Sequence, residues 1–252
     1  MRKLILATSL LALSAGGVFA QTAPNATPIP DAPVETIPAE EVDFVFTEAP
    51  DDHVIGSDSA PITMMMYASV TCGHCGDWFQ DDWPLVKREL IETGKIRFIL
   101  RPLPTPPAIL SVTGFLMAEC APDEDGYFSS IEYQMNNQEQ ILEGAQNGTA
   151  REEYAKVAEG VGLMNDEEIN SCLSKESNMD YIRLNGKRAE AAEVGGVPAF
   201  YIGGEAYKGK QEGSAIVSLI ETMHESGQST LPENIEPASK APQTETPHDH
   251  DH

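Results

Sequence analysis

Short apolar runs and helical stripes alternate along the middle of this chain. Ile62 to Ala68 is nearly all apolar and follows Pro61, the pattern of a strand buried on both faces. From Cys75 to about Glu92, Trp78, Phe79, Leu85, Val86, Leu90 and Ile91 supply the apolar face of a helix. Pro84 is set to kink that helix and Gly94 to close it. Ile96 to Arg101 reads as a second strand, and Pro102 to Pro107 as a loop into a helix over Ala108 to Cys120. Between Asp123 and about Glu193 the pattern is helical again, broken at Gly144, Gly148, Gly160 and Gly162. Within it, Asn165 followed by Glu168 is a capping-box variant that starts a helix. Pro198 to Gly203 and Glu205 to Lys208 read as paired strands turning at Gly203–Gly204, before a last helix over Gly213 to Met223. Met64, Met65 and Met66 fall in the first strand and so point to alternate faces, which makes them core residues rather than a copper-binding group.

The two ends read differently. Arg2 and Lys3 precede an apolar stretch, Leu4 to Val18, that is too short to span a membrane, and Val18-Phe19-Ala20 offers a cleavage site after Ala20. Residues 1–20 are therefore expected to be a signal peptide, and no cysteine follows that would carry a lipid anchor. Residues 21–50 carry prolines at 24, 28, 30, 33, 38 and 50, a linker composition, although the alternation Glu41 to Phe46 allows one edge strand. From Gly227 the chain is polar and ends in His248-Asp249-His250-Asp251-His252, an expected disordered tail. That terminal run has metal-ligand residue types but no fixed framework, so it reads as a solvated end and no metal site is assigned. A folded body over residues 51–226 remains, a size typical of one domain.

Charge narrows the partners. The chain has 40 acidic against 16 basic residues; without Arg2 and Lys3 the balance is −26. Nucleic acid and anionic membrane surfaces need clustered Lys and Arg, so neither is expected as a partner. Solubility outside the cytoplasm accounts for the excess.

The candidate chemistry is Cys72-Gly73-His74-Cys75. Cysteines at i and i+3 share one face of the first turn of a helix, so their sulfurs can bond and separate again. The first sulfur meets the positive end of the helix dipole, where a thiolate is stabilised and a disulfide becomes reactive. A structural zinc site would need four ligands, and no second such pair is present. Cys120 and Cys172 complete an even count that suits an oxidising compartment and permits two bridges, with the pairing left open by spacing alone.

Strand, Cys-x-x-Cys helix, strand, helical block, hairpin and helix follow in the order of an α/β thioredoxin fold with a helical subdomain inserted at about residues 105–193. From about His53 to Glu225 the chain resembles the DsbA-like thiol:disulfide oxidoreductases, particularly alphaproteobacterial ones. The likeness rests on Asp58-Ser59-Ala60-Pro61, Tyr67-Ala68-Ser69, Thr71-Cys72-Gly73-His74-Cys75 and Thr93-Gly94-Lys95-Ile96-Arg97. It rests also on Gly196 to Gly204, which contains Val197-Pro198.

That resemblance implies roles. Cys72 would be the exposed nucleophile, Cys75 the resolving thiol, and His74 a stabiliser of the Cys72 thiolate. Pro198 would be a cis-proline facing the sulfurs, with the Val197 backbone pairing an extended substrate peptide. Cys120 and Cys172 resemble the second cysteine pair of some relatives, a structural disulfide clipping the insertion together. The resemblance further implies a monomeric periplasmic enzyme that oxidises reduced or unfolded exported proteins, is reoxidised by a DsbB-like membrane partner, and uses no cofactor. Two positions depart from the family. Gly73 stands where many relatives have proline, giving the dipeptide of protein disulfide isomerases. Met66 stands where the family often has a carboxylate, so proton removal from Cys75 is expected to rely on solvent or another group. An isomerase or reductase, or a thiol-based metal-binding or chaperone module, are the alternative functions.

Overall fold

The computed structural model describes residues 42–232. The expected signal peptide (1–20), most of the linker (21–50) and most of the tail (227–252), including its His–Asp run, lie outside the described residues.

Five strands form one sheet in the order β1-β3-β2-β4-β5: β1 (Val54–Gly56), β2 (Ile62–Ala68), β3 (Ile96–Pro102), β4 (Ala199–Ile202) and β5 (Glu205–Ala206). β2 and β3 run parallel, while the other neighbours are antiparallel. A parallel pair requires a crossover, which is supplied by α1 (Gly73–Asp81), α2 (Trp83–Val86) and a π-helical turn over Lys87–Ile91. Between β3 and β4 stand α3 (Ala108–Ala118), α4 (Glu124–Asn136), α5 (Gln138–Asn147), α6 (Ala150–Gly160), α7 (Asp166–Leu173) and α8 (Glu176–Ala191). After the β4–β5 hairpin, α9 (Gly213–Ser226) returns to the sheet. This is the expected α/β thioredoxin arrangement with its helical insertion.

The sheet is apolar on both faces because β2 and β3 are. Met64 and Met66 join the main core with Trp83, Phe98 and Phe200, whereas Met65 packs with Tyr67, Ile99 and Tyr201 on the other side. The aromatic rings of that main core touch in series: Trp78 lies 5.1 Å from Phe200, Phe79 5.3 Å from Trp83, and Trp83 4.7 Å from Phe98. Each such contact adds about 0.5–1.5 kcal/mol beyond burial and fixes how α1 and α2 sit on the sheet.

Three local expectations need correction. The helix expected over Cys75 to Glu92 is not continuous: α1 ends before Asp82, and a new helix begins at Trp83 with Pro84 in its first turn. Proline has no amide hydrogen and its ring collides with the carbonyl four residues back, so α1 cannot pass through it. Residues 42–46 form no strand, and the edge beside β3 is taken instead by Val54–Gly56. Arg101 explains the detour. Its guanidinium is buried and forks onto Asp52 at 2.9 and 2.8 Å, and it also donates to the carbonyls of Val45 and Thr47 at 3.0 and 2.9 Å. Those carbonyls serve a buried cation rather than a ladder. Finally, β5 ends at Ala206, short of Lys208.

The expected cap is present. Asn165 Oδ1 accepts from the amides of Glu167 and Glu168 at 3.1 and 3.0 Å, and Glu168 accepts in return from Met164 N at 2.8 Å.

Candidate active site

The central strand β2 ends at Ala68, and the chain turns there through Ser69 to Thr71 into α1. That turn sets Cys72 at the N-cap of α1, with extended backbone angles and no side-chain cap. Its sulfur is half-buried and donates to Val197 O at 3.4 Å. The Val197–Pro198 peptide bond is cis. Cys75, one turn along, is buried in the main core, and both thiols are free. Burial pushes the Cys75 thiol well above its ordinary range, and neighbouring Cys72 adds to the rise, while the Ser69 amide works against it. The two sulfurs therefore differ in access: one faces outward at a helix end and the other is held neutral inside.

Beside Cys72 lies an open cavity of about 800 Å³ lined by His74, Asp77, Trp78, Pro198, Lys208 and Lys210, among others. Its far wall, the loop after β5, is strapped to α1. Trp78 Nε1 donates to Gln211 O at 2.8 Å, and Asp82 Oδ1 accepts from Gly213 N at 2.7 Å. Gln211 Nε2 reaches Pro198 O at 3.4 Å, and Tyr207 OH reaches Lys210 O at 2.7 Å. Gly209 is required in that loop, because a Cβ there would lie 2.5 Å from the Tyr207 ring. The groove is thus built by α1, the Val197–Pro198 loop and a braced loop, with an exposed His74 at its rim.

Under the turn sits a group of hydroxyls. Ser69 Oγ contacts Ser111 Oγ at 2.8 Å, Thr71 Oγ1 at 3.1 Å and Thr105 Oγ1 at 2.9 Å, and accepts from Thr105 N at 3.1 Å. Thr71 Oγ1 in turn donates to Thr105 O at 2.9 Å. These bonds tie the end of β2, the loop after β3 and α3 together behind the cysteines. Gln138 closes the same turn from the insertion: its Nε2 donates to Val70 O at 2.9 Å and Cys72 O at 3.0 Å. Ser69 and Thr71 fall in the motifs that carry the family resemblance, whereas Thr105, Ser111 and Gln138 carried no sequence signal, since such residues near helix ends are ordinarily on the surface. Met66, in the place of the family's carboxylate, is fully buried in the core that contains Cys75 and pairs across β2 with Leu100 and Phe200.

Cys72, His74, Cys75, Val197 and Pro198 are therefore brought to one place, while Cys120 and Cys172 are not. Those two form a disulfide, with Cα atoms 5.9 Å apart, that links the end of α3 to α7 in the insertion. His53, which lies in no persuasive sequence pattern, stacks on Tyr127 at 3.7 Å and bonds Glu119 and Glu124, each at 3.0 Å. Among the described residues, no group of three or more His, Cys, Asp and Glu side chains converges to hold a metal ion.

A family model described as Thioredoxin matches residues 48–222. A Rickettsia typhi protein and a Rickettsia conorii protein, both provisionally named protein-disulfide oxidoreductases, are each 24% identical, over 154 and 182 residues. The matches cover 61% and 72% of this chain but only 55% and 62% of those two proteins, so the chain spans less than two thirds of the curated relatives it matches. Among solved structures, alpha-DsbA1 of Wolbachia pipientis superposes with a TM-score of 0.64 at 22% identity, covering 71% of this chain and 94% of that one. Oxidised BdbD from Bacillus subtilis gives a TM-score of 0.56 at 18% identity, covering 68% and 91%. The fold is the one those structures share.

Proposed function

The chain belongs to the thioredoxin family, and from that premise we propose that it is a thiol:disulfide oxidoreductase that donates the Cys72–Cys75 disulfide to other proteins. One observation carries the reading: an outward Cys72 sulfur at the head of α1, 3.4 Å from Val197 O and beside an open groove, backed one turn inside by buried Cys75. A substrate thiolate attacks Cys72 Sγ, the enzyme's S–S bond breaks, and its electron pair goes to the Cys75 sulfur, which takes up a proton. The Ser69 amide favours negative charge on that sulfur as it leaves. A second substrate thiolate then attacks the substrate sulfur of the mixed disulfide and returns Cys72 as the thiolate. The substrate loses two electrons and the cysteine pair gains them. His74 at the groove rim stabilises the Cys72 thiolate. Val197 offers its backbone to an extended substrate chain, and Pro198 shapes the groove edge next to it.

The setting is the periplasm, reached by way of residues 1–20, with reduced or unfolded exported proteins as substrates and a DsbB-like membrane protein as reoxidant. Two features are compatible with this: the acidic charge balance, and the lack of any helix long and apolar enough to cross a membrane among the described residues. The Gly73-His74 dipeptide favours one rival, a disulfide isomerase or reductase on the same site.

The deciding experiment incubates the Cys75→Ala chain with a disulfide-containing substrate protein and looks for a mixed disulfide through Cys72. The intact protein is equilibrated with glutathione in parallel. A trapped adduct and a potential of about −120 mV, the value of DsbA, support the oxidase. A trapped adduct with about −270 mV, the value of thioredoxin, transfers the reading to a reductase. Failure to form any adduct removes the proposal.

A further inference from the structure

The geometry points to Gln138, the first residue of α5, as a positioning residue that sets the backbone and the electrostatics of Cys72 from the helical insertion. The inference rests on the exchange activity proposed above. Gln138 is buried, and its amide NH2 lies within 3.0 Å of two carbonyl oxygens, Val70 O and Cys72 O. Only the NH2 end can donate to carbonyls, so the pair of acceptors fixes which way the amide faces. Cys72 O also accepts from the amides of Cys75 and Gly76, each at 3.0 Å. Three donors therefore converge on the carbonyl of the residue that bears the reacting sulfur, and one of them comes from a separate part of the fold.

Gly76, the residue directly after the Cys-x-x-Cys motif, fits this arrangement. A Cβ there would lie 2.8 Å from Gln138 Oε1 and 3.1 Å from its Cδ, inside contact distance. The side chain of residue 76 and the amide of residue 138 compete for one space. Glycine on α1 is what lets the insertion reach the turn.

The consequence differs between the two redox states. A donor on the Cys72 carbonyl draws negative potential away from the sulfur on the same residue. That favours charge on Cys72 Sγ, which exists only when the pair is reduced. It also holds the Cys72 backbone in the extended conformation that turns Sγ to Val197 O. An amide that merely braced the turn would stabilise both folded forms alike, and its effect would cancel from the equilibrium between them.

The test is that equilibrium. The full chain, with Gln138→Leu and Gln138→Glu variants, is titrated with glutathione at pH 7, where one protein disulfide and two glutathione thiols exchange for a protein dithiol and one glutathione disulfide. Gln138→Leu is expected to shift the constant about threefold toward the protein disulfide, the loss of one ordinary donor. Gln138→Glu, which places an anion against two carbonyls, is expected to shift it about tenfold or more in the same direction. The Glu shift should shrink as pH falls below 7, because burial against two carbonyls raises the carboxyl's pKa and the protonated form regains a donor. Gly76→Ala presses on the amide from the other side and should shift the constant with the same sign. The same change made in a Gln138→Ala background should add nothing, and this pair carries the test if the first variants do not fold. Variants that unfold more easily yet keep the parent constant overturn the inference and leave the exchange activity standing. A parent chain that does not exchange with glutathione at all overturns both.

Discussion

Cutting the Cys120–Cys172 bridge gives a magnitude that the structure lets one calculate. The two sulfurs join residues 52 apart, closing a loop that carries α4, α5 and α6 and, with them, Gln138. In the chain-entropy treatment a closed loop of about this length removes about 4 kcal/mol of freedom from the unfolded chain. That is a large part of the roughly 5–15 kcal/mol that holds a domain folded. The measurement belongs in a Cys72→Ala/Cys75→Ala background, so that this bridge is the only redox variable. Denatured without reductant, that protein should show no free thiol. Unfolding in urea is followed by the fluorescence of Trp78 and Trp83, both buried in the main core. Adding Cys120→Ala and Cys172→Ala should lower the extrapolated stability by about 4 kcal/mol, equivalent to a midpoint shift of about 1.3–2 M at an m-value of about 2–3 kcal/mol/M. The slope itself should steepen, because the uncrosslinked chain unfolds to a more expanded state. A loss below about 1 kcal/mol would refute the reasoning, since it would mean that the loop's own packing already restrains the unfolded chain.

Other perturbations test the site and its supports. Because burial raises the Cys75 thiol, the folded reduced protein keeps a proton that the unfolded chain has lost once the pH passes about 9. Fewer protons on the unfolded state mean that stability falls as pH rises there; the decline should be shallower in Cys75→Ala, the buried Tyr127 and Tyr181 supplying part of the remainder, and an unchanged slope would contradict it. For His53, burial opposes the charge, but the Glu119 hydrogen bond and the Glu119 and Glu124 charges outweigh it and raise its pKa. The stabilisation is therefore complete below the unfolded value of about 6.5 and lost as pH climbs through the folded one, so urea midpoints at pH 5.5 and 8.5 should converge in His53→Gln. Asp52→Asn leaves Arg101 as a buried cation without its counter-ion and should cost about 3–5 kcal/mol in urea unfolding. A loss under about 1 kcal/mol would mean that the carbonyls of Val45 and Thr47 and the Tyr67 hydroxyl suffice alone.

What the sequence disclosed follows from where each pattern originates. β2 and β3 were readable because strands covered on both faces must be apolar almost throughout, and the β4–β5 turn because Gly203 and Gly204 both take positive φ. The Glu41–Phe46 alternation misled for a physical reason. Alternation marks a strand only if an edge is free to receive it, and the edge of β3 is occupied by Val54–Gly56. Three residues are too few to show a period, and the loop that delivers them is ordered by Arg101, which lies 49 residues beyond Asp52. No local window contains that information.

The site divides along the same line. Cys72 and Cys75 could be named because reversible thiol exchange needs two cysteines at this spacing, and His74, Val197 and Pro198 because the chain resembles a known family around them. Thr105, Ser111 and Gln138 could not, because what they contact is largely hydroxyl or main-chain oxygen, which any fold supplies everywhere. Yet these are the groups that join the inserted helices to the redox turn. Ser111 is on α3, Thr105 on the loop entering it, and Gln138 on α5, and all three reach the stretch between Val70 and Cys72 directly or through Ser69. An insertion that served only to cover the sheet would meet that turn with apolar side chains and leave its carbonyls to water. Here a buried amide satisfies the Val70 and Cys72 carbonyls, and the Ser69 hydroxyl accepts from the Thr71 and Thr105 amides, at a desolvation cost that an apolar cover would not have incurred. That polar joint is the physical reason to regard the helical block as a support of the proposed exchange site rather than as its lid.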